Sequence, residues 1–531
     1  MNYDFIIVGA GSAGCVLANR LSANPKHKVA VVEAGNKDTY PWIHVPVGYF
    51  KTMGNPRTDW CYAIEADEGL NGRVIPWPRG KVLGGSSSIN GLLYVRGQPL
   101  DYDYWRQLGN TGWGWDDVLP LFKRAESWEG GGDQFRGGEG PLTVSNTRVT
   151  RPIVDAWIEA AEAAGYRRSE DYNGPDQEGV GYFQMTMRAG RRCSAAVAFL
   201  YPAAKRPNLH VITRAHVQSL HIEKGRAAGV IIREGERTST LKANQEIVLS
   251  AGAIGSAQIL MLSGIGPPEH LREHGIAVIQ TARGVGQNLQ DHLQARPVYK
   301  TSASTINVEI NSLLKQAVIG ARYVFTRKGP MTMAASLGFG FLKTRPELAT
   351  PDIQFHIQPF SAEKIAEGPH KFSAFTASVL QLRPESCGEI RLKSSDPMAA
   401  PAIHANYLAT KNDRDTLVEG IRIARRICTF EPVKSLVTEE YAPGIAIDHD
   451  DYDGLLAWAR QTATTIYHPT GTCKMGSDEM AVVDNRLRVR GIEGLRVADC
   501  SIMPRIVSGN TNAPAIMIGE KASDLVLADA R

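Results

Sequence analysis

The amino-terminal segment constrains the fold more than any other part of this chain of 531 residues. An apolar run over 5–8 leads directly into a glycine motif with G-x-G-x-x-G spacing, formed by Gly9, Gly11 and Gly14. Gly9 permits a tight turn after a strand, Gly11 lets the backbone approach a pyrophosphate, and Gly14 lets a helix pack closely on the strand. The helix N-terminus would face the phosphate charge. The pattern therefore predicts the strand, turn and helix that open a dinucleotide-binding unit.

A second apolar run, over 29–32, ends on Glu33, which lies 33 − 14 = 19 residues after Gly14. A carboxylate at this position suits a pair of ribose hydroxyls and would repel a ribose phosphate, which argues against NADP. The alternative is a glycine-rich turn in an ordinary α/β unit. These residues predict a nucleotide site and leave the choice between NAD and FAD open.

Length and composition narrow the class of protein. The chain exceeds what a single hydrophobic core holds, so we expect at least two domains. Hydrophobic residues make up 43% and charged residues 21%, as in a typical globular enzyme. Basic residues outnumber acidic ones by only 59 − 55 = 4, without a basic run, so we expect no nucleic-acid partner. No apolar run approaches the length of a transmembrane helix.

The cysteines bear on compartment and metal binding. All seven are scattered along the chain, and none forms a C-x-x-C pair. This predicts neither a disulfide framework nor a zinc site, so we expect no metal and a reducing compartment. The apolar run near residue 5 is too short for a secretory signal and belongs to the glycine motif. We expect a cytoplasmic protein, with peripheral contact at the inner membrane left open.

Strand and helix patterns recur along the whole chain. Strands are predicted over 209–213, 216–222, 229–233, 246–249, 352–358, 373–382, 388–393 and 495–498. Helices are predicted over 256–262, 416–429, 450–462 and 515–528. Because nucleotide-type turns occur near both termini, we expect a Rossmann-like α/β domain assembled from discontinuous segments. The middle of the chain would form an α+β domain, with an antiparallel sheet covered by helices.

These expectations give approximate domain ranges. Residues 1–298 would belong mainly to the nucleotide-binding domain, with inserted loops of the substrate side around 40–70 and 100–190. Residues 299–480 would form mainly the substrate-binding domain, and 481–531 would return to the first domain.

Two further segments are rich in small residues. The segment 76–97 contains Gly84 and Gly85 followed by three serines, which makes a flexible backbone rich in N–H and hydroxyl donors. Such a loop can lie against a polar ligand, although a simple turn would use the same residues. The segment 250–266, S-A-G-A-I-G-S-A-Q-I-L-M-L-S-G-I-G, predicts a strand, a small-residue turn and a helix. A tight βα turn explains it equally well.

The carboxyl-terminal part contains the candidate acid–base residues. His468 precedes Pro469, which biases its backbone to an extended conformation. An ordered histidine is a candidate acid or base, although a lone histidine is more often structural. Asp499 follows a predicted strand, and Asn510 lies just before the terminal helix. Asn510 can donate or accept one placed hydrogen bond, or serve only to start the helix.

Together these segments resemble the glucose–methanol–choline (GMC) oxidoreductases, flavin enzymes that oxidise alcohols. Residues 80–97 resemble the first signature of that family. Residues 252–266 resemble the second, with Ala257 where the family usually has Pro or Ser. The stretches Y-H-P-T-G-T-C-K-M-G and N-T-N-A-P are typical of bacterial choline-dehydrogenase-like, FAD-dependent alcohol dehydrogenases. The resemblance runs from Tyr3 to about Leu527.

The resemblance implies FAD as the cofactor. It assigns the ADP half to Gly9, Gly11, Ser12, Ala13, Gly14, Glu33, Ala34 and Val217. It implies that four residues lie along the isoalloxazine and pyrophosphate side of the cofactor: Gly84, Ser88, Asn90 and Gly91. It implies that the ribityl chain and flavin ring are contacted by Asp499, Cys500, Asn510 and Thr511. Some members attach FAD covalently through a histidine where this chain has Ile89, so we expect non-covalent FAD.

The resemblance also implies the chemistry. His468 would be the catalytic base, and Asn510, 510 − 468 = 42 residues further on, would orient the substrate hydroxyl. Tyr467, His356 and Gln358 are candidate substrate contacts. We expect oxidation of a primary, polyol or sugar-like alcohol, with electrons passed to a quinone or other carrier. The alternatives are an oxidase that uses O2 and releases H2O2, a choline dehydrogenase, an NAD-dependent dehydrogenase and a non-catalytic flavin-binding protein.

Overall fold

Two sheets organise the chain in the computed structural model, which describes residues 2–363 and 368–530. The first sheet has the spatial order Leu209–Thr213, Val29–Glu33, Asn2–Val8, Arg237–Leu249, Arg226–Glu234 and His216–Glu223. The first four strands run parallel, and the last two continue as antiparallel ribbons. Every residue of Val29–Glu33 is buried, as expected for a parallel strand covered on both faces.

The carboxyl-terminal segment completes this first sheet. Leu495–Val497 pairs in parallel with Arg237–Leu249, on the side away from the amino-terminal strand. The terminal helix Asn512–Asp529 then packs on the helix Ser12–Leu21. A Cβ added to Gly519 would lie 2.8 Å from the carbonyl oxygen of Ala13, so the two helices approach closely. The expected Rossmann-like unit assembled from discontinuous segments is confirmed.

The second sheet is antiparallel throughout. Its order is Val437–Ala442, Val298–Thr301, Ala374–Gln381, Ile353–Gln358, Gly338–Leu342 and Gly179–Tyr182, and Leu293–Ala295 joins Ala374–Gln381 to Thr464–Thr465. The helices Lys411–Ile427 and Pro152–Ala163 pack on it. The Thr410 hydroxyl accepts from the Asp413 amide at 3.2 Å and caps the first of these helices. The expected antiparallel sheet covered by helices is confirmed.

Further elements surround the two sheets. The other helices of eight residues or more are Pro99–Gln107, Trp115–Ala125, Gly252–Leu262, Leu313–Thr326 and Tyr452–Thr462. The shorter α-helices are Pro41–His44, Tyr49–Thr52, Tyr201–Ala203, Pro268–Glu273, Ile306–Glu309 and Val433–Leu436, and Ala196–Leu200 is a π-helix. Two-stranded ladders join Tyr62–Ala63 to Pro76–Trp77, Glu126–Trp128 to Leu142–Val144, Met187–Arg188 to Arg191–Arg192, and Ile265–Gly266 to Gln280–Thr281.

Two details differ from the simplest sequence interpretation. The strand predicted over 388–393 is Glu389–Arg391, which pairs with Ala402–His404 outside both sheets. The second sheet also takes Leu293–Ala295 from the part of the chain before residue 299, in addition to Gly179–Tyr182 from the range 100–190 that was expected to lie on the substrate side. The domain ranges themselves stay a prediction.

Candidate active site

The glycine turn has the geometry that its spacing predicts. Gly9 has a φ of +97°, and a Cβ there would lie 2.5 Å from the carbonyl oxygen of Ser250. A Cβ on Gly14 would overlap the carbonyl oxygen of Gly9. A Cβ added to Gly11 would lie 3.9 Å from the nearest other atom. Gly9 and Gly14 therefore permit close packing, whereas Gly11 leaves an open backbone surface beside a cavity.

Glu33 lies at the end of the second strand of the motif, in the wall of the same cavity. It is 6% exposed, and its carboxylate accepts hydrogen bonds from the Ala10 amide at 2.9 Å and the Gly35 amide at 2.8 Å. Burial raises its pKa to about 7, while the two amides act in the opposite direction. The side chain thus steadies the turn and borders the cavity at the same time.

The cavity has two compartments. The first has about 1130 Å³ of empty space, and its wall includes Gly9, Gly11, Ser12, Ala13, Glu33, Ala34, Val217, Asp499 and Cys500. The second has about 1230 Å³, and its wall includes Asn90, Gly91, His356, Gln358, Tyr467, His468, Cys500, Asn510 and Thr511. Both walls share Ser12, Arg79, Ser86, Cys500 and Ala515. The two compartments therefore adjoin each other.

Three of the predicted cofactor residues lie outside both walls: Gly14, Gly84 and Ser88. Gly84 has a φ of +87°, and its amide donates to the Ala10 carbonyl at 2.8 Å. The Ser88 hydroxyl donates to the Leu83 carbonyl at 2.7 Å. These residues shape the loop and hold it against the glycine turn.

Asp499 borders the first compartment and not the second. Its carboxylate accepts from the Gly252 amide at 2.9 Å, the Ser256 hydroxyl at 2.6 Å and the Ser501 amide at 2.8 Å. The side chain therefore joins the carboxyl-terminal loop to the start of the helix Gly252–Leu262.

A series of hydrogen bonds runs from the wall of the second compartment into the protein through two histidines. His468 Nε2 lies 3.0 Å from the Asn510 amide nitrogen. His468 Nδ1 lies 3.0 Å from Nδ1 of His292, whose Nε2 lies 2.8 Å from the Leu382 carbonyl oxygen. His292 is fully buried, and His468 is 7% exposed. The residues come from four distant parts of the chain.

The Leu382 carbonyl sets the donor-to-acceptor direction of these hydrogen bonds, because a carbonyl oxygen only accepts. His292 Nε2 therefore carries a proton. Burial lowers the pKa of His292 to about 4, so near pH 7 the ring is neutral and its Nδ1 is an acceptor. Nδ1 of His468 must then donate to it. The Nε2 of His468 is left with a lone pair that faces Asn510 and the cavity, as a base requires.

The loop that carries His468 is fixed by a buried carboxylate and a guanidinium. Asp291 accepts from the His468 amide at 2.7 Å and from the hydroxyls of Tyr407 and Thr465, both at 2.5 Å. Burial raises the pKa of Asp291 to about 6. Arg79 donates to the Tyr467 carbonyl at 2.8 Å, and Tyr467 has a φ of +70°, a conformation rare for a non-glycine residue.

Electrostatics keep His468 unprotonated. Burial lowers its pKa well below the usual value, and the neighbouring His292, His356 and Arg79 lower it further. Burial also lowers the pKa of His356 to about 3. His356 is 2% exposed, and no group in the described ranges forms a hydrogen bond with its Nε2. This nitrogen belongs to a residue of the cavity wall and is a candidate substrate contact.

The second compartment is positively charged. Its wall contains Arg79 and Arg296, and no Asp or Glu of the described part of the chain lines it. Burial lowers the pKa of Arg296, and its guanidinium lies 3.5 Å from Gln358 Oε1. Tyr49, Tyr467 and Glu363 lie near enough to Arg296 to act on its charge, and of these only the two tyrosines belong to the described wall.

Sequence reasoning missed several residues of this site: Arg79, Ser86, Asp291, His292 and Arg296. His292 and Asp291 stand in N-L-Q-D-H, a stretch without apolar periodicity. The adjacent Asp291 and His292, beside a short strand, were the available signal in the sequence. Nothing in the neighbouring residues, however, indicates that this pair contacts His468.

In residues 2–363 and 368–530, no helix has both the length and the apolar character needed to cross a bilayer. The same residues contain no group of three His, Cys, Asp or Glu side chains arranged for a metal ion. The seven cysteines are all unpaired thiols.

The fold and this cavity define a flavin-dependent oxidoreductase that acts on alcohols. The chain belongs to the GMC oxidoreductase family: its amino-terminal family model matches residues 3–294, and its carboxyl-terminal model matches 384–519. The cofactor of the family, and of this chain, is FAD. The two adjoining compartments fit FAD, because the bare backbone at Gly11 borders one of them and His468 borders the other.

Relatives match over nearly the whole chain. An alcohol dehydrogenase [acceptor] of Pseudomonas putida is 41% identical, over 99% of this chain and 96% of the relative. An oxygen-dependent choline dehydrogenase of Rhizobium rhizogenes is 43% identical, over 100% of this chain and 96% of the relative. The crystal structure of pyridoxine 4-oxidase from Mesorbium loti superposes with a TM-score of 0.90 at 30% identity, with 100% of both chains covered.

Proposed function

We propose that this enzyme oxidises an uncharged or anionic alcohol, that His468 is the base, and that choline is not its substrate. The observation that carries this proposal is the positively charged compartment around His468, with Arg79 and Arg296 and no acidic side chain among the described wall residues. The electrons would pass to a quinone or another carrier, in keeping with the relative named alcohol dehydrogenase [acceptor].

FAD, when bound, supplies the two-electron acceptor for the hydride of the carbinol carbon. Gly9, Gly11, Glu33 and Val217 would hold its ADP half, because they border the first compartment. Asn90, Gly91 and Thr511 would hold its flavin half, because they border the second. Ile89 lines the second compartment and carries no nucleophile, which supports non-covalent binding.

The proton chemistry follows from the hydrogen-bond chain. The lone pair of His468 Nε2 would take the hydroxyl proton of the substrate. Because Nε2 has a single lone pair, the substrate hydroxyl would displace the Asn510 N–H from it, and Asn510 would then donate an N–H to the substrate oxygen. His292 would act as a positioning residue, because it accepts the Nδ1 proton of His468 and so keeps Nε2 free. General-base help of this kind is typically worth about 100- to 10,000-fold in rate.

Arg296 supplies the argument on substrate class. A quaternary ammonium is recognised by carboxylates and aromatic faces, whereas a nearby guanidinium repels it. At a separation of roughly 6 Å and an effective dielectric constant of about 20, this repulsion is about 3 kcal/mol, or about 100-fold in binding. A hydroxyl, ether or carboxylate oxygen on the substrate would instead accept from the guanidinium. A polyol, a sugar-like alcohol or a hydroxy acid fits this requirement.

The test is anaerobic bleaching of the enzyme-bound flavin with matched substrates. Primary alcohols, diols, sugars and hydroxy acids should bleach it, and choline should do so at least about 100-fold less efficiently. In Arg296→Gln, which keeps hydrogen-bonding capacity and removes the charge, the preference against choline should shrink by about the same factor. Choline oxidation at the rate of the best neutral alcohol would refute the substrate proposal.

The alternatives predict different outcomes of the same experiment. A non-catalytic flavin protein predicts that every alcohol fails, although the aligned His292, His468 and Asn510 argue against it. An oxidase predicts that aerated enzyme releases one H2O2 for each alcohol consumed, whereas a dehydrogenase reduces a quinone analogue faster than O2. A colourless, flavin-free protein would support the NAD-dependent alternative.

A further inference from the structure

The helix Leu313–Thr326 presents an apolar face to solvent instead of to the protein. Its exposed fractions are 83% at Leu313, 75% at Leu314, 61% at Val318, 60% at Val324 and 86% at Phe325. Together with the exposed Ala317 and Ala321 these side chains make up what we call the outer face. At 100° per residue they cover a continuous arc of about 140°. A helix of a globular protein normally turns such a stripe toward the core.

The opposite side of this helix is anchored. Tyr323 is 2% exposed, and its hydroxyl donates to the Gly190 carbonyl at 3.1 Å. The helix is followed by Arg327, which has a φ of +55°. The outer face is therefore held outward by packing on its other side, and it forms the kind of exposed apolar patch that marks an interaction surface.

The charges beside the outer face are all basic. Lys315 and Arg322 lie at one edge of the arc, and Arg327 and Lys328 follow the helix. No Asp or Glu occurs in the sequence from 310 to 346, although the whole chain is nearly balanced, with 59 basic and 55 acidic residues. The preceding acid, Glu309, is paired with Arg151 at 2.7 Å.

We propose that the outer face docks the enzyme on the surface of an anionic lipid bilayer. An apolar arc with basic flanks is the pattern of a helix that lies in the membrane interface, where the apolar side chains enter the acyl boundary and the cations meet lipid phosphates. A second copy of the chain is the less suitable occupant. A two-fold interface sets the same patch against itself, so the basic flanks would face each other without acidic partners.

Docking at this face would bring the second compartment close to the lipid. Before the helix, the Ile306 amide donates to the Pro359 carbonyl at 3.1 Å, next to Phe360 of the cavity wall. After the helix, Pro330–Thr332 contacts Pro46–Gly48, which leads into Tyr49 and Phe50 of the same wall. An acceptor or substrate dissolved in the membrane would have a short path to this compartment.

The test is flotation of the full-length, FAD-loaded protein with liposomes of phosphatidylcholine alone or mixed with phosphatidylglycerol. The wild type should float with the anionic liposomes. Phe325→Asp should lower the partition coefficient by about 10- to 100-fold, because it removes one buried aromatic side chain. Lys315→Gln with Arg322→Gln should lower it by roughly 30-fold, from about 1 kcal/mol for each cation. Bound flavin absorbance reports folding of each variant.

Ile445→Asp is the matched control, because Ile445 is 88% exposed and lies outside the outer face. It should float like the wild type. The proposal is overturned if the wild type does not float, if the Phe325 variant floats equally well, or if the control loses flotation to the same degree. It is also overturned if light scattering shows a dimer that Phe325→Asp converts to a monomer, because that result assigns the face to a second copy.

Discussion

Replacing His292 tests whether the hydrogen-bond chain holds the base in its active form. His292→Leu removes the acceptor that faces His468 Nδ1, now 3.0 Å away, and keeps an apolar side chain of moderate size. The Nδ1–H of His468 then lacks a partner, which costs about 1–3 kcal/mol for a buried donor. The proton would move to Nε2, where the ring is no longer a base toward the substrate.

The cost converts directly into rate. A penalty of about 1–3 kcal/mol on the competent form lowers the first-order rate of flavin reduction by about 5- to 150-fold. His292→Asn is the matched variant, because asparagine has nearly the size of leucine but offers a carbonyl oxygen near the position of Nδ1. We expect it to recover most of the wild-type rate. Bound flavin should be equal in both variants, because His292 lies outside the walls of both compartments.

The assay is anaerobic stopped-flow reduction at saturating alcohol, followed at the flavin absorbance maximum. The ratio of the Asn to the Leu variant isolates the acceptor from the loss of the imidazole. Equal rates in the two variants, or a wild-type rate in His292→Leu, would refute the tautomer argument.

Three further predictions follow from the same geometry. Burial lowers the pKa of His292 to about 4, so the neutral ring stabilises the fold above pH 6.5 and this contribution is lost as pH falls toward 4. In urea titrations, the stability of the wild type relative to His292→Asn should fall by about 1.4 kcal/mol per pH unit in that window. A constant difference between the two proteins would contradict this. Gly14→Ala should prevent FAD retention, because the added Cβ overlaps the carbonyl oxygen of Gly9; the flavin content of purified protein checks this, with Gly320→Ala as the control, because Gly320 is also helical and an added Cβ there would have no atom within 4 Å. Acid precipitation should release the flavin into the supernatant, because Ile89 offers no attachment point; flavin in the pellet would show a covalent bond.

The parts that the sequence predicts well are those with local signals. The glycine spacing predicts the turn at Gly9, and the structure has the positive φ and the close contact that the motif requires. The strand predicted over 209–213 is observed as Leu209–Thr213, because its apolar run is bounded by turn residues. The carboxyl-terminal return is likewise visible as a strand followed by a helix, observed as Leu495–Val497 and Asn512–Asp529.

His292 shows why other parts escape a single sequence. Its partner His468 is 468 − 292 = 176 residues away. The two meet because Leu293 pairs with Thr465 in a short antiparallel ladder. His292 precedes the first of these residues and His468 follows the second, so both histidines lie at the same end of the ladder. A two-residue strand such as Thr464–Thr465 has too few positions for periodicity to be read. The position of the Arg296 charge in the cavity wall could not be predicted from the sequence either, because only the folded sheet turns its side chain into the cavity.

The proposed active site depends on how the two sheets meet. His468 follows a strand of the second sheet, whereas Asn510 precedes the terminal helix, which packs on the glycine-motif helix of the first sheet. The 3.0 Å contact between His468 Nε2 and the Asn510 amide therefore spans the junction of the two units. A small shift at this junction would separate the proposed base from the group proposed to orient the substrate, and would leave both sheets intact. Changes at the junction should consequently alter the oxidation rate more than they alter FAD binding, because Gly9, Gly11 and Glu33 all belong to the first unit.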